Sequence, residues 1–166
     1  MILSSSSNIV AVDLSYRDTG IALIKNEHGS PTLVHAYNRE NPPMEHGFEG
    51  LRRMSHLVYS TIDEVRLKAE WFKADAVLVE MPCFSQSAKA AIAIGLLWGC
   101  MADLDYILVD PSFLKIWSDS KRGDHKDKVK EKVMSMTCLD KEQLANDNIV
   151  DAIGIGLAFC ELININ

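Results

Sequence analysis

Residues 9–24 read IVAVDLSYRDTGIALI, and this stretch decides the fold. Asn8–Leu14 (NIVAVDL) is a short run of apolar β-formers that closes on an acid, which predicts a buried strand. Gly20–Lys25 and Thr32–Tyr37 follow at hairpin spacing, with a turn predicted around Asn26–Pro31. The chain is therefore expected to begin with an antiparallel meander of three strands.

Two further apolar strands alternate with helices along the rest of the chain. From Phe48 to Ala69 apolar residues recur at steps of three and four, which predicts one long amphipathic helix. Ala76–Glu80 (AVLVE) is a second buried strand that ends in an acid. Because a helix leads to it, we expect it to run parallel to the first strand. Tyr106–Asp110 (YILVD) predicts a third parallel strand.

The remaining segments are predicted helices. Gln86–Ala102 is apolar and rich in alanine, so it leaves little polar face and should be buried or lie at an interface. A charged helix follows around Lys126–Met136, and an apolar helix runs from about Asp147 to Ile163. The order βββαβαβαα resembles the ribonuclease H arrangement. We predict an α/β fold with a five-stranded mixed sheet, three antiparallel then two parallel strands, flanked by helices in a single domain spanning residues 1–166.

The composition is that of an ordinary globular domain. The chain has 166 residues, of which 48% are hydrophobic and 24% charged, enough for one sizeable core. No apolar run reaches the roughly 18 residues that a membrane span needs. The first eight residues form a polar, serine-rich segment unlike a secretory signal. We therefore expect a cytoplasmic protein with no membrane partner.

Cysteine and histidine spacing argues against zinc. The cysteines show no C-x-x-C spacing and fall mostly within apolar segments, so they are predicted to be buried thiols: Cys83, Cys100, Cys138 and Cys160. The histidines form no H-E-x-x-H motif and no regular pairing with the cysteines.

Acidic residues mark a predicted metal site at one edge of the sheet. They are Asp13, Glu80, Asp147 and Asp151. Carboxylates are hard oxygen ligands suited to Mg²⁺ or Mn²⁺, and a pair of such ions about 4 Å apart can support phosphodiester hydrolysis. Asp13, on a central strand, is the natural bridging ligand, with Glu80 beside it. A turn residue and a solvated edge charge are the alternative interpretations of these two acids.

Asp151 has an unusually apolar sequence context for an acidic residue. It lies in the last helix among apolar residues such as Ile149 and Ile153. A lone acid on an apolar helix is costly unless it is paired or bound to metal, which favours a ligand role.

Basic charge is concentrated in one part of the chain. The net charge of −6 argues against a general polyanion binder, because nonspecific nucleic-acid affinity comes chiefly from Lys and Arg on phosphates. Between Lys115 and Lys132, however, seven basic residues against four acids leave +3. This window is the candidate phosphate-binding region.

The predicted site residues lie in four segments whose order and spacing match those of a known protein family. The segments are IVAVDLSYRDTGIALI (9–24, with Asp13, Arg17, Thr19 and Gly20), VLVEMPCFSQSAKAAIAIGLLWG (77–99, with Glu80, Gly95 and Gly99), PSFLKIWSDSKRGDHKDKV (111–129, with Lys115 and Lys126) and DNIVDAIGIGLAF (147–159). Together they resemble the RuvC-type Holliday junction resolvases of the ribonuclease H-like, retroviral integrase superfamily. The resemblance covers nearly the whole chain and implies a bacterial or phage origin, with the protein in the cytoplasm of a bacterial cell or a phage-infected host.

The resemblance implies two Mg²⁺ ions per active site, with Mn²⁺ as a substitute, held by Asp13, Glu80 and Asp151. Resolvases of this type carry Asp or His three residues before the last acid, and here that position is Asn148. Asp147 lies four residues before Asp151, and both positions share its helix face. Asp147 is the expected fourth ligand, with Asn148 as the alternative.

The resemblance also implies a DNA-binding surface. Lys126, a predicted catalytic residue, matches a lysine that offsets charge on the scissile phosphate, and Phe84 resembles an aromatic residue that stacks at the junction centre. Phe84 is one residue from the family's usual place, and a loop aromatic folded onto the core is the alternative. The residues expected to contact DNA are Lys115, Lys121, Arg122, Lys126, Phe84 and Arg17. Ser120 and Arg122 replace family glycines in the loop between the lysines.

We therefore expect a homodimeric, Mg²⁺-dependent endonuclease that resolves four-way and other branched DNA by paired nicks. Two strands related by a two-fold axis require two symmetric sites, and Gln86–Ala102 is the candidate dimer interface. One alternative is a noncatalytic branched-DNA binding module, suggested by Asn148 and the acidic net charge. Another is a ribonuclease H-fold nuclease for RNA or other substrates. The sequence leaves open whether a branch-migration motor is a partner.

Overall fold

One mixed sheet organises the molecule. The computed structural model describes residues 6–163 except 44, 46, 81–87, 103 and 122. Within these ranges the strands are β1 (Ser6–Asp13), β2 (Asp18–Glu27), β3 (Ser30–Glu40), β4 (Ala76–Glu80) and β5 (Ile107–Val109), and the helices are α1 (Gly47–Phe72), α2 (Ala88–Met101), α3 (Ser112–Trp117), α4 (His125–Met136) and α5 (Asp147–Ile163). The strand order is β3-β2-β1-β4-β5.

The strand directions agree with the prediction. β1 pairs antiparallel with β2, and β2 pairs antiparallel with β3. β4 runs parallel to β1, and β5 runs parallel to β4. The carboxyl ends of the three parallel strands therefore meet at one edge of the sheet, which is where Asp13 and Glu80 end their strands.

Both faces of the central strands are covered, which explains why β1 and β4 are continuous apolar runs. Ile9 and Ala11 of β1 pack into a core that includes residues of α3, α4 and α5, such as Leu114, Val129 and Ile153. The alternate residues of β1 pack into a second core with α1 and α2. Helix α5 is accordingly one of the most buried elements.

Polar contacts join the helices on the α5 face. Glu161 of α5 accepts a hydrogen bond from Nε1 of Trp117 at 2.7 Å. Nζ of Lys132 donates to the backbone oxygen of Trp117 at 2.7 Å and lies 4.3 Å from the Trp117 ring centroid. These contacts fix α3 and α4 against the end of α5.

Details of the sheet and of one connection differ from the sequence-based expectation. The turn is tighter than predicted, because β2 and β3 pair as far as Glu27 and Ser30 and the chain reverses at His28 and Gly29, with φ of 51° and 87°. The short helix α3 was not predicted, because six residues are too few to show a helical period.

The prediction of buried thiols is only partly correct. Cys160 is buried and Cys100 is half-buried, whereas Cys138 is exposed just after α4. Cys83 lies outside the described residues. Among the described helices none is both long enough and apolar enough to cross a membrane.

Candidate active site

Three of the predicted acids lie close enough to influence one another at the carboxyl edge of the sheet. Asp13 is the last residue of β1, Glu80 is the last residue of β4, and Asp151 lies in the second turn of α5. All three are partly buried. Burial, followed by the charge of Asp151, raises the pKa of Asp13 to about 7, while Lys126 opposes the rise.

The pKa values of the other two carboxyl groups, those of Glu80 and Asp151, are raised as well. Burial raises the pKa of Glu80 to about 8, and the charges of Asp13 and Asp151 add to the rise. Burial also raises the pKa of Asp151 to about 6, with Lys126 opposing and Asp147 adding to the effect. The three acids thus repel one another where water is scarce, an arrangement typical of functional sites.

A divalent cation would relieve this repulsion. An all-oxygen set of carboxylates is the donor chemistry that Mg²⁺ and Mn²⁺ prefer, so the residues fit such an ion chemically. In the described part of the chain, however, no group of three or more His, Cys, Asp or Glu side chains is arranged so as to hold a metal ion. The residues therefore fit a divalent ion because their side chains are all carboxylates and because the negative charges of these carboxylates repel one another.

Gly20 allows α5 to approach the acids. It pairs with Asp13 in the β1–β2 ladder. A Cβ atom at Gly20 would lie 1.9 Å from the backbone oxygen of Asn148 in the first turn of α5, far closer than atoms can pack. Only glycine permits this contact, and the contact brings the start of α5 onto β2, beside the end of β1 that carries Asp13.

Asn146 fixes where α5 begins. Its Oδ1 accepts hydrogen bonds from the backbone N–H groups of Asn148 at 2.9 Å and Ile149 at 3.2 Å, so it is the N-cap of the helix. Asn146 was not among the residues predicted from the sequence. The signal was present, because Asn just before an apolar helix is a preferred N-cap.

Lys126 and Asp147 form an ion pair at the rim of the site. Lys126 lies in the first turn of α4, and its ammonium group donates a hydrogen bond to Oδ2 of Asp147, the first residue of α5. This hydrogen bond raises the pKa of Lys126, and the charges of Asp151 and Asp13 contribute to the rise. The structure therefore brings Lys126 to the carboxylates of the site.

The other predicted basic residues are placed differently. Lys115, on α3, is exposed, and its charge opposes the rise in the pKa of Glu80. Lys121 is exposed, and its backbone N–H donates to Asp124 at 2.7 Å. Its described contact therefore lies within the loop that joins α3 to α4. The predictions for Phe84 and Arg122 concern residues outside the described ranges.

Arg17 lies exposed in the turn that follows Asp13. Its backbone oxygen accepts a hydrogen bond from the N–H of Asn41 at 2.8 Å, and Nδ2 of Asn41 donates to the backbone oxygen of Tyr16 at 2.7 Å. Thr19 donates to the backbone oxygen of Ser15 at 2.7 Å. These bonds hold the turn in shape, so the Arg17 backbone is fixed beside the acidic edge.

Solved structures show the same fold over almost the entire chain. The RuvC of Thermus thermophilus in complex with a Holliday junction substrate aligns with a TM-score of 0.72 at 18% identity, covering 96% of each chain. The yeast mitochondrial Holliday junction resolvase aligns with a TM-score of 0.65 at 12% identity, covering 95% of this chain and 79% of that one. The fowlpox virus resolvase, solved with substrate Holliday junction DNA, aligns with a TM-score of 0.60 at 15% identity, covering 94% and 98%.

No protein-family model and no curated protein matches the sequence. The strand order and the flanking helices define a ribonuclease H-like fold. Within that class, the chain has the fold of the RuvC Holliday junction resolvases.

Proposed function

We propose that this protein is a structure-selective DNA endonuclease that resolves Holliday junctions and other branched DNA by paired nicks. The observation that carries the proposal is the cluster of Asp13, Glu80 and Asp151, whose pKa values are all raised by burial. These acids lie at the carboxyl edge of a RuvC-like sheet with a lysine beside them. The solved proteins that share this fold include two bound to junction DNA.

The site would hold two Mg²⁺ ions, with Mn²⁺ as a substitute. Asp13, Glu80 and Asp151 are the proposed ligands, and the fourth position belongs to Asp147 or Asn148. When bound, such ions supply a water of lowered pKa and stabilise charge on the leaving oxygen. Asp13 and Glu80 end strands whose backbone pairing fixes their positions, and Asp151 is held on helix α5.

The cations around the acids would position the scissile phosphate. Lys126 is paired with Asp147 at the rim of the site, and the charges of Lys126 and Lys115 both act on the carboxylates. A fixed cation there offsets the charge that develops on the phosphate in the transition state. Arg17, Lys121, Arg122 and Phe84 are the other residues that we propose to contact DNA.

Helix α2 supplies a surface for a second copy of the chain. Ala93, Leu97 and Met101 face the core, whereas Ile92 is 45% exposed. Among the described residues, a Cβ atom at Gly99 would meet nothing within 4 Å, so this face of the helix is open toward them. We propose that two copies pair through this apolar face, giving symmetric active sites for paired nicks.

A panel of DNA and RNA substrates tests the function. A four-way junction, a flap, a linear duplex and an RNA:DNA hybrid of matched length are incubated with the protein in Mg²⁺ and in Mn²⁺. We expect nicking of the branched DNA substrates well above the linear duplex. Binding without nicking in either metal would favour the noncatalytic module, and preferred cutting of the hybrid would favour an RNA-directed nuclease.

A plasmid assay tests whether the two strands are nicked as a pair. A supercoiled plasmid with an extruded cruciform gives a linear product when both strands are cut within one encounter, and an open circle when one is cut. We expect the linear product. Ile92→Asp on α2 should shift the protein from dimer to monomer by light scattering and convert the product to open circle. Val34→Asp is the matched control, because Val34 is 50% exposed on β3, at the edge of the sheet opposite β5.

A further inference from the structure

The ammonium group of Lys126 is occupied by a carboxylate of its own chain. Its Nζ is paired with Oδ2 of Asp147. Both side chains face solvent, with 68% of Lys126 and 51% of Asp147 exposed. In the proposed function Lys126 contacts a DNA phosphate. A carboxylate oxygen therefore stands where a phosphate oxygen would have to bind.

Asp147 is placed differently from the three clustered acids. The charge of Asp151 acts on both Asp13 and Glu80. The charge of Asp147 acts on Lys126 and on Asp151. Asp147 is the first residue of α5 and exposed, while Asp151 lies four residues, roughly 6 Å, further along the helix and is partly buried. The carboxylate of Asp147 is thus directed to the lysine at the rim.

We propose that Asp147 competes with the DNA phosphate for Lys126 and is not a ligand of the metal ions. The proposal rests on the proposed function for the identity of the competing phosphate. Binding of DNA exchanges one ion pair for another, so Lys126 contributes less to affinity than a lysine without an internal partner. Exposed ion pairs are worth at most about 1 kcal/mol, a factor of about five in affinity.

A binding experiment separates competition from a general charge effect. Dissociation constants for a four-way junction and a linear duplex are measured in Ca²⁺ at low salt. Asp147→Asn should bind both DNAs about three- to fivefold more tightly than the wild type. Asp127→Asn is the matched control, because it removes the same charge from the residue next to Lys126, and it should change affinity less than about twofold. Asp147→Ser repeats the test with a second neutral residue.

The double variant shows whether the effect passes through Lys126. In a Lys126→Met background, Asp147→Asn should tighten DNA binding no more than Asp127→Asn does. If Asp147→Asn still tightens DNA binding in the absence of Lys126, the proposal is wrong. It is also wrong if Asp147→Asn and Asp127→Asn change the DNA affinity equally in the wild-type background. These ratios are read on linear duplex as well as on the junction. A missing preference for the junction would therefore count against the proposed function alone.

Metal affinity provides a readout that is independent of DNA. Titration calorimetry with MnCl₂ should give Asp147→Asn a dissociation constant within about twofold of the wild type. Asp151→Asn should bind Mn²⁺ at least about tenfold more weakly, because even outer residues of metal sites contribute tenfold or more. If both variants weaken Mn²⁺ binding equally, Asp147 is a metal ligand and the proposal is wrong.

Discussion

Replacing Asp13 with Asn should stabilise the metal-free protein. Asp13 has a pKa of about 7 in the folded protein against an ordinary value of 3.8. A group whose folded pKa is raised contributes stability below its unfolded pKa and loses it as pH rises through the folded pKa. Each pKa unit corresponds to about 1.4 kcal/mol, so ionised Asp13 costs the fold about 4 kcal/mol above pH 7.

Asn at position 13 cannot ionise, but its amide still loses water on burial. We therefore expect Asp13→Asn to raise the free energy of unfolding by about 2–4 kcal/mol at pH 8 without metal. One kcal/mol moves the melting temperature of a domain this size by about 2–4 °C, so the variant should melt at least about 4 °C higher. The gap should shrink as the pH is lowered toward 5.

Thermal and urea unfolding at pH 5 and pH 8, in EDTA, measure this difference. Asp110→Asn is the control, because Asp110 follows β5 at the same edge but hydrogen bonds from Ser112 lower its pKa. The control should not be stabilised at pH 8. Adding MgCl₂ should stabilise the wild type more than Asp13→Asn, since only the wild type gains a full ligand set. Equal stability of Asp13→Asn and wild type at pH 8 would refute the reasoning.

Three further predictions concern residues that position the candidate site or act in it. Gly20→Ala should lower the unfolding free energy by about 1–3 kcal/mol and weaken Mn²⁺ binding, because the added methyl group meets the backbone of Asn148; unchanged stability and affinity would contradict the packing. Asn146→Ala should destabilise the protein by about 0.5–2 kcal/mol in urea unfolding, while Asn146→Ser should retain most of the cap. Lys126→Met should slow nicking of a junction about 100-fold or more in single-turnover assays without unfolding the protein, and a near-normal rate would remove Lys126 from the reaction.

The sheet was predictable because its strands are strongly patterned. NIVAVDL and AVLVE are apolar runs that end in acids, and burial on both faces of the sheet produces that pattern. Helix α1 was predictable from its sustained period. Helix α3 was not, because its six residues give no period, and the reversal at His28 and Gly29 depends on backbone angles that the sequence does not display directly.

The candidate site was predictable as a set of residue types, but its contacts were not. The acids stood out because strands that end in Asp or Glu converge at one edge. The ion pair between Lys126 and Asp147 depends on how α4 packs beside the start of α5, which no local pattern encodes. The same holds for Gly20, since its close contact with α5 joins residues far apart in the chain.

The nicking of a four-way junction by Glu80→Gln is the most direct test of the central claim. Glutamine keeps the size of the side chain at the end of β4 but removes its charge, so the acidic cluster loses one carboxylate. In Mg²⁺ we predict that the variant folds and binds the junction as the wild type does, yet cuts it at least about 100-fold more slowly. Cutting at a near wild-type rate would contradict the assignment of this cluster as the active site.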